Sequence, residues 1–322
     1  MKKTLILATQ SLPRASAAEP RDVENRKKLP LISYLRRILP IISFALLTAV
    51  QANAANIAWG NAGSDFATGT NWLGGTAPVN NTTSDIGAFA NATVTNNPVF
   101  TADRSINRLQ FNPGTAAWTF TGSGGTQTLT LGGGGIVNNS ANTQTFSASG
   151  LQLALGANAT FNANNGALAI DSAVNVSNRT LTLQGSGTSS TISGVVSGTG
   201  GLTKQGSGTW TLNNANTFTG DTRIFIGGLS LGNANALSGS TVLIDLLGIL
   251  RFGSLTNANL GGLGSSGNIA LTNDSGGNVA LNVGGNNQST IYDGGFSGGG
   301  SLTKAGTGTL ELWGAILTGP AG

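Results

Sequence analysis

The stretch Gly200–Leu212, GGLTKQGSGTWTL, is written again one hundred residues later as GGSLTKAGTGTLEL, Gly299–Leu312. Aligning Ser197–Leu212 with Ser297–Leu312 gives ten identities in sixteen positions: Ser197, Gly198, Gly200, Leu202, Thr203, Lys204, Gly206, Gly208, Thr209 and Leu212. Each copy ends in an alternation of apolar and polar residues, TWTL and TLEL, the period of a strand with one buried face. A repeat this long exceeds one propeller blade and fits a superperiod of several solenoid coils. A single coil cannot bury its inner face alone; stacking coils at a spacing of ~4.8 Å closes the core and pairs the backbone.

The same alternation recurs along the chain: TLTL at 128–131 and 180–183, LQLAL at 151–155, ALAI at 167–170, AVNV at 173–176, VALNV at 279–283. Clusters of Gly, Asn and Ser separate these pieces and supply turns with positive φ. All 50 glycines lie after Ala54, and no stretch there repeats its apolar residues at the helical period. The fold class is therefore all-β, a parallel β-helix or β-solenoid after a leader. At ~20–25 residues per coil, residues 55–322 make on the order of eleven to thirteen coils. Within the repeat, Leu202, Leu212 and Trp210 share a parity and are expected in the core. Leu302 and Leu312 are expected inside at matching places in a later coil, while Trp313 falls on the opposite parity. Lys204 and Lys304 read as strand-end lysines, the stem covering apolar surface and the charge in water.

Residues 1–54 hold nine Lys/Arg against three acids, whereas residues 55–322 hold seven against nine. The basic character thus belongs to the leader, and a nucleic-acid partner has no electrostatic support in the rest. RKKLPLISYLRR precedes the apolar run 38–50, which ends in Ala52-Asn53-Ala54. This is a secretory signal pattern with cleavage between Ala54 and Ala55, too short for a membrane span. Membrane contact is expected only through export. The organisation read from the chain is a leader at 1–54, an irregular β or capping region at 55–125 around Trp59 and Trp72, and a solenoid at 126–322 with repeat motifs at 197–224 and 297–319.

SGTGGLTKQGSGTWTLNNANTFTGDTRI, Ser197–Ile224, resembles the autotransporter-associated β-strand repeat of bacterial surface proteins. It keeps the Gly-rich lead, L-T-K (Leu202, Thr203, Lys204), G-x-G-T (Gly206, Gly208, Thr209), Leu212 and N-x-F-T-G (Asn216, Phe218, Thr219, Gly220). The second copy keeps Leu302, Thr303, Lys304, Gly306 and Gly308, then departs into WGAILTG. The block NAGSDFATGTNWLGGTAPVNNTTSDIGAF is similar to the opening of such passengers. The resemblance implies a β-helical passenger displayed at or beyond an outer membrane, with no catalytic activity. Such proteins end in a translocator barrel, and none is visible before the terminal LTGPAG. The expectation is a truncated frame or a short secreted relative without its own anchor, prone to fray or associate end to end.

The chain has no His and no Cys, which removes His-based triads, Cys nucleophiles and His/Cys metal sites. The remaining carboxylates, Asp65, Asp85, Asp103, Asp171, Asp221, Asp245, Asp274, Asp293 and Glu311, form no D-x-D or E-x-x-E cluster. They read as solvated or turn-capping groups; Asp245, inside TVLIDLLGIL, faces out of a strand or marks a turn. GLGSSG, Gly262–Gly267, matches a dinucleotide-loop pattern but precedes a strand and lacks its helix. NDSGGN, 273–278, lacks the calcium nonapeptide. No catalytic, cofactor or metal site is expected. Two function classes stay open: a non-enzymatic passenger (stalk, adhesion or self-association) and a polysaccharide-active β-helix enzyme using Asp carboxylates. The partners considered are cell-surface polysaccharide or a second copy.

Overall fold

The computed structural model describes residues 54–187 and 189–314. The leader lies outside the described residues. Ala54 and Ala55 are the first two described, and the Ala55 carbonyl accepts a hydrogen bond from Ile86 N at 2.8 Å.

The described chain is a parallel β-solenoid of about ten turns. Each coil contributes short strands to three faces, which wind around one apolar core. The first face carries Leu181–Gly185 and Leu202–Lys204, then the first part of Thr222–Leu231 and the middle of Leu237–Arg251. The second face carries Ser190–Ile192 and Thr209–Leu212, then the second part of Thr222–Leu231. The third face carries Ala173–Ser177 and Val196–Gly198 and, further on, Ala280–Val283 and Ser301–Lys304. All named strand pairs are parallel and stack in near-constant register. Partners on the first face step by 20 or 21 residues from Leu181 through Leu202, Thr222 and Val242 to Leu263. Nearer the N-terminus the steps are 22 to 30 residues, from Ile57 through Gly87, Leu109 and Ile136–Phe161 to Leu181. Those longer early coils are why the turns number about ten and not eleven to thirteen. Helix is confined, among the described residues, to one 3₁₀ turn at Gly69–Asn71.

The alternation in the sequence sets which residues fill the core. Leu151, Leu153 and Leu155 are buried while Gln152 is exposed, and like side chains stack on like from coil to coil. In the first coils the stack is aromatic: Trp59 packs against Phe66, Trp72 and Phe89, and the column continues through Phe120 to Phe146, whose rings stack at 4.8 Å. Such pairs contribute roughly 0.5–1.5 kcal/mol each beyond their burial. Beyond Phe161 the column is mostly Leu, Ile and Val. The outer surface carries polar ladders. On the third face Asn282 Nδ2 donates to Asn259 Oδ1 at 2.9 Å, and Asn259 Nδ2 to Asn235 Oδ1 at 2.7 Å.

The repeat register corrects one expectation. In the first copy, Leu202–Lys204 lies on the first face and Thr209–Leu212 on the second. In the second copy, Ser301–Lys304 pairs with Ala280–Val283 on the third face, and Leu310–Leu312 pairs with Thr290–Tyr292 on the first. The second copy therefore sits four coils and two faces further on, not at matching places in a later coil. One hundred residues is not a whole number of coils once the insertion carrying the Thr272–Asn278 antiparallel bridge is included.

Candidate functional site: a glycine corner and an apolar outer corner

The repeat motif builds a corner. Leu202 and Lys204 both point inward, Thr203 outward, and the chain turns through Gln205–Gly208 into the next strand. Lys204 is fully buried, contrary to the expected charge in water. Its Nζ donates to the carbonyls of Gln205 and Gly206 at 2.8 Å each, and to Ile226 of the following coil at 3.2 Å. The ammonium thus ties a turn to itself and to the coil stacked on it. The parity with Leu202 carried this signal: a residue two on from an inward Leu is itself inward. Burial lowers the Lys204 pKa to about 8, because desolvation disfavours the charged form.

The glycines of the motif make room for this. Gly206 has φ +73° and a Cβ there would come within 2.6 Å of the Gly185 carbonyl; Gly227, one coil on at φ +77°, would bring a Cβ to 2.9 Å from Lys204 Nζ. Both positions need the left-handed region and the missing side chain. Gly208 has no room for a Cβ against the backbone of the preceding coil. Gly306, at φ +65°, and Gly308 repeat the arrangement against residues 284–288.

Lys304 also turns back on its own corner, donating to the Ala305 and Gly306 carbonyls, but it is exposed. Leu302 is half-buried, Thr303 exposed, and Leu312 is 44% exposed. Leu312 thus departs from its expected place inside, since no described coil stacks on this one. Trp313 is 73% exposed, on the side its parity assigns, whereas Trp210 is buried with its Nε1 donating to Gln184 O at 3.1 Å.

The carboxylates serve turns and ladders. Asp65 accepts from Thr68 Oγ1 (2.6 Å), Thr101 Oγ1 (3.0 Å) and Ala67 N (3.2 Å); these bonds and the charge of Arg104 outweigh desolvation and hold its pKa below the usual value. Asp85 accepts from Val79 N at 2.6 Å and Asp103 from Thr128 N at 2.7 Å. Asp274 pairs with Arg251 at 3.8 Å, and Glu311 accepts from Trp313 Nε1 at 3.1 Å. The described residues include no group of three or more acidic side chains able to hold a metal ion. GLGSSG runs from a strand into a corner followed by the strand Ile269–Ala270.

The feature that sequence reading left unassigned is an outer corner between the first and second faces. A bulge sets Ile224 opposite Ile244 but Ile226 opposite Leu247, so the upper strand carries an extra residue there. Bulges re-aim side chains, and here they put Leu246 (81% exposed) and Leu247 (66%) outside together. Phe225 and Ile249 are half exposed beside them. Asp245 marks this turn: its carboxylate pairs with Arg223 Nε at 2.8 Å and accepts from Ser265 Oγ at 3.2 Å. The Arg223 guanidinium lies 5.8 Å from the Phe225 ring centroid. These residues and Ser266 line an open groove of about 390 Å³. The signal was the run IDLLGIL, which has apolar residues on both parities.

Comparison with known proteins agrees with this architecture. Residues 202–228 match the family model of the Passenger-associated-transport-repeat. A 165-residue stretch is 33% identical to the adhesin BmaC autotransporter of Brucella suis biovar 1 (strain 1330), covering 47% of this chain and 5% of that protein. The chain thus spans a small fraction of the relative's length. No solved structure matches. The chain is a β-solenoid of the autotransporter-passenger type, with a Passenger-associated-transport-repeat forming the Lys204 corner and the strand that follows it.

Proposed function

We propose that this chain is a non-enzymatic passenger, exported to the cell surface, that serves as a rigid stalk presenting a contact surface for adhesion. The observation that carries this reading is the passenger repeat lying within a continuous solenoid core. Similarity to a protein named an adhesin supports the surface role. Parallel stacking gives a long, stiff body whose coils each contribute outer side chains while the core stays shared. The hydrogen bonds and ion pairs that tie up Asp65, Asp85, Asp103, Asp245 and Asp274 weigh against the polysaccharide-active alternative, because carboxylate catalysis needs two of them facing one bond.

Protease treatment of intact producing cells tests the location: the chain should be cleaved while periplasmic markers survive. Cells displaying it should bind host surfaces or polysaccharide-coated beads more than cells without it. Release of oligosaccharides from any added polysaccharide, lost on an Asp→Asn change, would overturn the non-enzymatic reading. An uncleaved chain inside intact cells would overturn the surface role.

A further inference from the structure

The apolar outer corner at Phe225, Leu246, Leu247 and Ile249 points to a second copy of this chain as its occupant: we propose that two solenoids associate side to side there, about a two-fold axis. The inference goes beyond the passenger role and does not require adhesion to any host.

The first ground is where apolar side chains are exposed. Most of the solenoid's outer surface is Thr, Asn, Ser and Gly, while four large hydrophobics converge on this one corner, spanning two adjacent coils. Contiguous exposed apolar patches rimmed by polar groups mark interaction sites. The second ground is shape. Leu246 and Leu247 project from the bulge, and beside them lies the open groove floored by Phe225. An isologous interface needs self-complementary relief, and a knob adjoining a hollow supplies it: the knob of each copy enters the hollow of the other.

The third ground is charge, and it selects the occupant. The groove's two charges, Arg223 and Asp245, neutralise each other at 2.8 Å. Two such surfaces brought face to face meet no like-charge repulsion, and each guanidinium has the partner copy's carboxylate as a second acceptor. An anionic polysaccharide or a lipid headgroup finds no net positive charge here, and the protruding branched aliphatics offer a sugar little hydrogen bonding. A neutral, mostly apolar partner with one balanced ion pair fits, and the chain itself presents one.

Sedimentation velocity of the full chain, purified from the exported fraction, tests this over a range of concentrations. The expected result is a reversible monomer–dimer equilibrium. Leu246→Asp with Leu247→Asp should weaken it at least roughly a hundredfold. Leu73→Asp, at an exposed apolar position in the first coil, should leave it unchanged. Both variants should keep the strand circular dichroism of the parent, since none of these side chains is in the core. Arg223→Asp should also weaken association by placing like charges in the groove, and adding Asp245→Arg should restore it. A parent chain monomeric at every concentration would overturn the proposal, as would a dimer indifferent to the double Leu variant. Saturable binding of a neutral glycan that Phe225→Ala abolishes, with no dimer, would assign the corner to another occupant. Cell adhesion that persists in the monomeric variant would leave the passenger reading intact, so the two readings fail separately.

Discussion

The Lys204 and Lys304 corners are built from nearly the same residues and differ in what stacks on them. Each lysine reaches the two carbonyls that follow it. Only Lys204 reaches a third, on Ile226 of the next coil, and only Lys204 is buried. The corner is therefore a local module, able to form between the first and second faces in one place and the third and first in another. Its burial comes from its neighbour. What the motif specifies is a turn with a cation at its hub; what the stack specifies is how much that turn contributes to stability.

The largest contrast should come from the strand after each corner. Leu212 is fully buried and Leu312 is not. Leu212→Asp places an unpartnered charge in the core and should cost at least about 4 kcal/mol in urea unfolding. Leu312→Asp should cost no more than about 1 kcal/mol. Equal costs would mean that the second copy is as covered as the first.

Next come the lysines themselves. Lys204→Met keeps the stem but leaves the Gln205, Gly206 and Ile226 carbonyls without their donor, a loss of about 1–2 kcal/mol. Lys304→Met should change stability by about 0.5 kcal/mol or less. The two urea midpoints, measured side by side, decide whether the third acceptor matters.

A smaller effect follows from titration. The Lys204 pKa falls to about 8 in the folded chain, against ~10.4 unfolded. Between these values the unfolded chain binds the extra proton, so stability rises with pH from about 8 toward 10. Below about 8 both states are protonated and the slope vanishes. Tyr292 opposes the trend above about 10: burial raises its pKa, so the unfolded state loses that proton first. Lys204→Met should flatten the rise between pH 8 and 10. A rise that survives the substitution would assign it to other groups.

Much of this was legible in the sequence. Alternation located the inward residues of the first copy, Leu202, Trp210 and Leu212, because in a parallel stack parity alone decides inside from outside. Lys204 was misread because its charge was weighed above its parity, although three carbonyls at a tight corner replace water. The shift of the second copy by two faces was not legible. Coil length varies from 20 to 30 residues along the stack, and a repeat interval carries no face label when insertions fall inside it. The apolar corner was hidden for a related reason. A bulge breaks the alternation at 245–247, and an apolar run with both parities filled reads equally as a buried strand.

The face assignment of the second copy is the account's central claim, and engineered cysteines test it directly, since the chain has none of its own. Thr303 stands opposite Asn282 on the third face, whereas Ile291 stands opposite Glu311 on the first. Neighbouring outward residues of paired strands lie within the ~4.4–6.8 Å Cα separation that a disulfide spans. Under mild oxidation the Asn282→Cys, Thr303→Cys chain should close an internal disulfide, and the Ile291→Cys, Thr303→Cys chain should not. Cross-linking of residue 303 to 291, with none to 282, would place the second copy on the same face as the first and contradict the structure.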